Sequence, residues 1–474
     1  SDDTTVTISV YHLNKDGEKG RLFFHRQFFA SETRMILLYG LEGEDIFELT
    51  GNRICKIAIT IISGKGKDKI KAKEKFYTDN IVIYDDIDTE VSPEIRKKLK
   101  SRYDQHALEY NRENFKYDII YPGIYSGYNP DDGIFLGGGP IFTKYSRYQQ
   151  QRYEMMGNYA SATNAYNLRF KVQKNYPLKR MLLDFNVDYS SPGYVGNFVG
   201  MGNVTRWDPS KPEGYYRLRM SRSVLRTGFV RWLDPNQLHQ AGVSLSFNHT
   251  GTEKTKGRYV SLPGNGLDEN DLSSHFYTGI HLNYKFDTSN TTDRKPEEKF
   301  AGSSSFPTRG MKLETAANYF TGINKHTGNF LKVSADWMTY LSFSQRPRVI
   351  YVLRLGGEKN VGNYPFHEAA KLGGKENLKG YRETRYYGDA SIYLNALMRI
   401  RMKQFQTYLV NGTAGVLFFN DTGRVWLKGE ESKRWHNGAG LGLWISPFDT
   451  AVLSASLSSG KDGKLFNFSL NYHF

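Results

Sequence analysis

From about residue 130 onward, apolar and polar residues alternate in segments separated by Gly, Asn, Asp, Ser and Pro, the pattern of strands joined by turns. In 181–189, Leu182, Asp184, Asn186 and Asp188 oppose Leu183, Phe185, Val187 and Tyr189. Residues 281–286 (HLNYKF) and 331–343 alternate in the same way. In 391–402, Ile392, Leu394, Ala396, Met398, Ile400 and Met402 share one face, opposite Ser391, Tyr393, Asn395, Leu397, Arg399 and Arg401. Segment 451–459 sets Ala451, Leu453, Ala455 and Leu457 against Val452 and three serines. The last segment, KLFNFSLNYHF, carries Phe466, Phe468, Leu470, Tyr472 and Phe474 on one face and Leu465, Asn467, Ser469, Asn471 and His473 on the other.

The connections between these segments are of two kinds. Those at 175–177, 234–236 and 344–348 are short, and those at roughly 251–274, 360–388 and 427–437 are long. Short turns at one end and long loops at the other suit an outer-membrane barrel; the long stretch 289–306 is an exception on the short-turn side. Fourteen strands can be placed directly, 192–237 is expected to hold the rest, and an even total of sixteen fits best. A soluble sandwich or propeller would bury the second face in a core, but here that face carries Asn, Ser, Asp, Arg and His. The pattern therefore favours a membrane barrel, with the apolar face toward lipid and the polar face inward.

The first part of the chain differs. Strand-like pieces occur at 5–13, 34–40, 56–62 and 80–86, and 92–111 reads as a helix, with Ser92 as N-cap, Pro93 at the first helical position and Glu94 in the first turn. The expected organisation is a β-rich domain over 1–90, a helical connector over 91–130 and a barrel over 131–474.

Composition agrees with an all-β chain. Hydrophobic residues are 39% of the 474, below the usual globular share, yet aromatics reach 14% and there are 46 Gly. Disordered chains are aromatic-poor. No apolar run approaches the ~20 residues of a membrane helix. The single cysteine, Cys55, excludes an internal disulfide and reads as a small buried hydrophobe. The formal charge is +15, with local clusters such as 96–100 (RKKLK). No nucleic-acid-binding signature accompanies it, so solvated faces or anionic lipid account for the charge better than nucleic acid. The chain begins SDDTTV, without Met, which points to a removed leader or a longer product.

Five blocks occur in order: DDGIFLGGGPIFTKY (131–145), NFVGMGN (197–203), FPTRGMKLE (306–314), GGKENLKGYRETRYYGD (373–389) and LFFNDTGRVW (417–426). Together they resemble the BamA/TamA-type superfamily of outer-membrane surface-antigen barrels. The resemblance implies a sixteen-stranded transmembrane antiparallel barrel whose loop 360–388 folds into the lumen, with Leu378, Lys379, Gly380 and Tyr381 at its tip. It pairs Lys379 with Asp421 of the strand that also carries Gly423. Lys stands where the family has Arg, so a point charge replaces a bidentate fork, and Leu397 aligns where a Glu is common. The lock is then weaker, or rebuilt from Arg382, Glu383 or Arg385; the plain alternative is Lys379 in lumen water.

The resemblance also makes Phe466, Phe468, Leu470, Tyr472 and Phe474 an assembly signal and one side of a closing seam. Strand 131–145 is expected on the other side, where Gly137, Gly138 and Gly139 would weaken pairing or make room for the loop. It places the protein in the bacterial outer membrane with the N-terminal domain in the periplasm. The implied partners are outer-membrane lipid, lipopolysaccharide and other envelope or barrel-assembly proteins, with no cofactor. Block 21–51 resembles the region before the barrel in a branch with an upstream metallophosphoesterase, although no phosphoesterase or POTRA-like pattern lies in this chain. Asp45 and Asp68 sit in two Gly-rich turns about 23 residues apart. They would ligate calcium if these were calcium turns, but tight turns are the simpler reading.

Catalysis is not indicated by any motif: HExxH, GxSxG and the P-loop are all missing. Along single strands, His249 faces away from Ser244 and Ser246, while Ser469 and His473 are too far apart, so only a cross-strand pair stays open. The function implied is outer-membrane biogenesis by protein or lipid insertion or translocation. The alternatives are a non-transporting anchor or accessory subunit that tethers a periplasmic enzyme, and a diffusion pore.

Overall fold

The computed structural model describes residues 4–14, 17–51, 56–72, 80–85, 89–101, 110, 117–129, 133–146, 149–176, 180–193, 195–212, 214–234, 236–289, 307–344, 347–447 and 451–472. The chain divides into two compact units, 1–116 and 117–474.

The first unit is a short parallel solenoid preceded by a hairpin. Strands Thr5–Leu13 and Lys19–Phe29 form the hairpin. Strands Met35–Tyr39, Ala58–Ile62, Ile81–Asp85 and Leu99–Ser101 then stack in parallel as one sheet, and Ile46–Leu49, Lys69–Ala72 and Glu90–Val91 as a second. Each of the first three coils contributes one strand to each sheet, and Leu99–Ser101 adds a fourth strand to the first sheet. Alternate β-branched residues point inward, so that Ile61, Ile70, Ile81, Ile83 and Ile95 make a common core. At the turns, Cβ atoms on Gly64 and Gly66 would collide with the carbonyls of Leu41 and Gly43 in the coil before, and both glycines have positive φ.

The helix expected over 92–111 is absent from 92–101. Arg96–Lys98 make a single 3-10 turn and Leu99–Ser101 continue the solenoid sheet. Ser92, the expected N-cap, instead bonds the preceding coil: its N–H donates to Ile70 O at 3.0 Å and its Oγ accepts the Ala72 N–H at 3.3 Å. Burying Ile95 and continuing the stack outweigh local capping preference. Residues 102–109 and 111–116, like Cys55, lie outside the described residues.

The second unit is a closed antiparallel barrel. Its wall strands are β1 (Ile119–Asn129), β2 (Gly133–Ser146), β3 (Gln149–Ala160), β4 (Ala165–Tyr176), β5 (Met181–Ser190), β6 (Arg217–Trp232), β7 (His239–Thr252) and β8 (His275–Asp287). They continue with β9 (Gly310–Gly322), β10 (Phe330–Leu341), β11 (Val349–Gly362), β12 (Ala390–Gln406), β13 (Asn411–Trp426), β14 (His436–Pro447), β15 (Ala451–Gly460) and β16 (Gly463–Tyr472). Each pairs with the next, and β16 returns to β1. The short strand Val195–Asn197 rides on the extended end of β6.

The count of sixteen stands, but one strand lies elsewhere than expected. Region 192–237 supplies one wall strand, β6, and β1 lies inside the segment read as connector. Its sequence, IIYPGIYSGYN, carries Pro122 and two glycines, which read as breakers. Pro122 is tolerated because β1 closes the barrel, and among the described residues its second edge pairs only at 126–128. The wall faces follow the alternation. Phe185, Leu245, Leu282, Leu394, Leu441, Leu457 and Phe466 are exposed outward, whereas Asn248, His281, Asn395 and Asp421 are buried inward. Long connections collect at the end away from the chain termini of the wall, at 191–216, 253–274, 363–389 and 427–435; the segment 288–309 is the long one at the other end.

Candidate functional site: the plugged lumen and the seam

Pairing is uneven around the wall. β1 and β2 pair continuously from Ile119↔Thr143 to Asn129↔Gly133. β1 and β16 pair only at Ser126↔Leu470, Gly127↔Ser469 and Tyr128↔Phe468 among the described residues. Tyr128 and Phe466 rings add a contact at 5.9 Å. The seam therefore joins β16 to 119–129, and the strand 133–146 is one position in from it, contrary to expectation. Ser126 has Leu136 on one side and Leu470 on the other.

Gly137, Gly138 and Gly139 accordingly lie on β2. A Cβ on Gly137 would strike the Tyr125 ring, one on Gly139 the Met155 carbonyl, and one on Gly138 would lie 2.9 Å from Gly123 O. The β2–β3 ladder skips Gly139 and Pro140 and resumes in the same register, from Gly138↔Gly157 to Ile141↔Glu154. On β16, Phe466 is exposed outward, Phe468 sits between Tyr128 and Ala455, and Tyr472 pairs with Ala451. Phe474 lies outside the described residues.

The connection 363–389 folds back and packs inside the barrel. Leu378 and Tyr381 join Leu372, Tyr386 and Val425 in a buried cluster. The tip is held from two directions. Asp421, fully buried on β13, accepts the Lys379 backbone N–H at 2.9 Å and faces Lys379 Nζ at 3.5 Å. Lys379 Nζ also lies 5.0 Å from the centre of the Phe419 ring. Gly423 lies on the same face of β13, where a Cβ would stand 2.9 Å from Leu372. Gly380 adopts φ +93° and rests against Ser459 and Gly460 at the end of β15. A Cβ on Gly438 would collide with the Lys379 carbonyl, so β14 is glycine where the tip crosses it.

The strongest clamp is Arg385. It is 1% exposed, and its Nε donates to Asp462 Oδ2 at 2.6 Å in the turn between β15 and β16. Nη1 donates to Thr205 Oγ1 at 2.7 Å and Nη2 to Thr205 O at 3.0 Å, while the guanidinium lies 4.4 Å from the Tyr386 ring centre. One planar cation thus ties the plug to the 191–216 connection and to the terminal hairpin. Arg382 instead lies over Trp207, and the Glu383 carbonyl accepts from Asn197 Nδ2 at 3.1 Å.

Asn203 is a second junction. Its N–H donates to both Glu430 carboxylate oxygens at 2.9 and 2.8 Å, its Nδ2 to Ser432 Oγ and Arg434 O, and its Oδ1 accepts from Val425 N. His436 Nε2 lies 3.0 Å from both its oxygens. Deeper in the loop, Glu368 meets Lys332 Nζ at 2.9 Å and accepts from Tyr277 O–H at 2.7 Å. Burial pushes the Lys371 amine down to about 8, against the pull of nearby Glu368. Below the plug, Arg354 pairs with Asp336 at 2.7 Å and donates to Glu376 O, and a cavity of about 490 Å³ opens between this loop and the wall.

Of the residues expected at the tip, Lys379 meets Asp421, whereas Gly423 lies beside Leu372. Of the three named substitutes for the missing Arg, Arg385 forms the buried ion pair, though with Asp462 rather than Asp421. Asp462 lies in a two-residue turn and carried no sequence signal beyond its charge. Leu397 lies on the lumen face of β12, two residues from Asn395, which stands opposite Asp421. No group of three or more metal-ligating side chains gathers around Asp45 and Asp68 among the described residues. Asp68 Oδ1 accepts the Asp45 N–H at 2.8 Å and links two coils of the solenoid.

Residues 150–474 match the model of the Omp85 superfamily domain. Among solved structures, BamA from Haemophilus ducreyi lacking POTRA domains 1–3 superimposes with a TM-score of 0.53 at 13% identity, covering 76% of this chain and 71% of that one. CdiB from Escherichia coli gives 0.50 at 15% identity, covering 75% of this chain and 63% of that one. At these identities the likeness shows the barrel fold. A comparison with curated protein sequences finds no match.

Proposed function

Because this outer-membrane β-barrel belongs to the Omp85 superfamily, we propose that it acts in outer-membrane biogenesis, inserting or translocating protein or lipid through a seam that parts beside a plugged lumen. The observation that carries this reading is the seam, which among the described residues pairs at three positions while its neighbour β1–β2 pairs along the whole strand. Each missing ladder position removes hydrogen bonds that a lipid-facing backbone otherwise needs, so this is the least costly place to open the wall. The plug is bound to the same hairpin through Arg385 and Asp462, which supports a common movement of plug and seam. Its direct partners are then outer-membrane lipid, lipopolysaccharide and other envelope or assembly proteins, with unit 1–116 in the periplasm.

Cysteines at Gly127 and Ser469, which stand opposite each other across the seam, test the reading. Oxidation is expected to abolish function in cells and reduction to restore it, with the barrel folded in both states. Full function in the locked form would remove seam opening from the mechanism.

The density of clamps on the plug favours a second reading, that of a passive anchor tethering a periplasmic enzyme or complex. The solenoid form of unit 1–116 agrees with such a tether. An anchor works equally well with the seam locked, so the same experiment separates the two.

A further inference from the structure

Three lumen-facing side chains on adjacent strands form a hydrogen-bonded row that neither the plug nor the seam uses. They are Ser246 on β7, His281 on β8 and Asn318 on β9. His281 Nε2 is 2.7 Å from Ser246 Oγ, and His281 Nδ1 is 2.9 Å from Asn318 Oδ1. The Asn318 oxygen only accepts, so Nδ1 carries the ring proton and Nε2 is left to accept the serine O–H. Nucleophile, base and orienting group are then in the order that acyl transfer requires.

The register explains how the row forms. Ser246 stands opposite Gly279, and His281 opposite Asn318. His281 therefore reaches Ser246 diagonally across Gly279. A Cβ on Gly279 would lie 3.1 Å from His281 Nε2 and 2.7 Å from the Phe320 ring, so glycine keeps this contact open. Two further donors flank the serine. Asn248 Nδ2 donates to Ser246 Oγ at 2.7 Å, and Arg226 stands opposite Ser246 on β6. Ser246 and His281 are buried, at 4% and 5% exposure, yet the cavity of about 490 Å³ begins one row away. Asn283, two residues past His281, and Ala316, two before Asn318, line it. Lys285, Asp336 and Glu358 make that cavity polar.

We propose that Ser246, His281 and Asn318 form an esterase site for small polar acyl esters that enter the lumen cavity. Ser246 Oγ adds to the ester carbonyl carbon as its proton passes to His281 Nε2. The bond to the leaving alkoxide breaks, and His281 returns that proton to it, releasing the alcohol and leaving acyl-Ser246. Water then adds, giving a proton to His281. The bond to Ser246 Oγ breaks, the carboxylic acid leaves, and Oγ takes the proton back. Asn248 and Arg226 offer hydrogen bonds to the oxyanion. Asn318 is a positioning residue that fixes the imidazole tautomer.

The test uses the full chain in detergent micelles, with folding checked by heat-modifiable migration. A fluorophosphonate probe is expected to label Ser246, located by peptide mass, and 4-nitrophenyl acetate to be hydrolysed. Ser246→Ala loses both signals, and Ser246→Cys keeps probe-independent alkylation at that position. His281→Gln lowers hydrolysis by roughly 10²-fold or more and removes the rise of rate with pH. Asn318→Ala alters that pH profile, and Asn318→Asp restores it. The proposal is overturned if the folded wild-type chain is unlabelled at Ser246, or if Ser246→Ala hydrolyses the ester as fast as wild type. The row is then a structural network of the wall. Neither result depends on whether the seam opens.

Discussion

At the scale of single residues, Asp421 and Arg385 hold the plug in physically different ways. Asp421 takes a backbone N–H at 2.9 Å, while the Lys379 ammonium is farther, at 3.5 Å. Lys379→Ala is therefore expected to leave the tip in place, because its N–H bond to Asp421 survives. Asp421→Ala strands that N–H, at a cost of about 1–3 kcal/mol, and should loosen the loop. Limited proteolysis within 373–389 distinguishes the two variants. Arg385→Ala leaves Asp462 buried without its cation, and such losses run to about 3–5 kcal/mol. It should raise cleavage more than Lys379→Ala does, and Arg385→Lys should rescue only partly, since one ammonium cannot reach both Asp462 and Thr205. Equal protection of all three variants would show that packing alone retains the plug.

At the scale of elements, the wall was legible because lipid and lumen impose a period of two. Leu453 and Leu457 against Ser454 and Ser458 needed no structure to be placed. β1 was not legible, since Pro122 and two glycines in eleven residues break every local strand rule. What permits them is an edge that pairs at only three positions among the described residues, a property of closure and not of the segment. The start of the expected helix, 92–101, failed for the converse reason: good local capping signals lost to the stack that buries Ile95. The Ser246–His281–Asn318 row was hidden because a diagonal across two ladders leaves no spacing rule in sequence. Glycines at crossings make a testable element-scale claim. Gly438→Val places atoms where the Lys379 carbonyl lies, so the tip must lift. Cysteines at 379 and 421 should then cross-link less readily than in a background with Gly438 intact.

At the scale of the whole molecule, the 363–389 loop occupies the lumen. The intact chain is expected to show no steady conductance in planar bilayers, and deletion of 363–389 to produce one. A steady current from the intact chain would favour the diffusion pore. Solenoid folding has its own signature: Gly66→Val forces a side chain into the coil above at a residue with φ +148°. Protease should then cut within 1–116 while the barrel keeps its heat-modifiable migration, because the two units are separately compact. Family and strand number were legible at this scale from ordered blocks and parity. The solenoid was not, because its coils share only a short Gly-x-Asp turn, at 43–45 and 66–68.

That solenoid is modular in length. The first coils use about 22 or 23 residues, as in Met35↔Ala58, Ile59↔Ile81 and Ile46↔Lys69, and the last step, Ile83↔Leu99, uses 16. Neighbouring strands in such a stack are about 4.8 Å apart. Duplicating residues 58–80 would therefore lengthen the unit by that one step, without a new fold and without touching a residue of the barrel. Evolution of this segment can proceed by counting: the number of coils is a ruler, and reach in a chain of this design is tuned in whole steps.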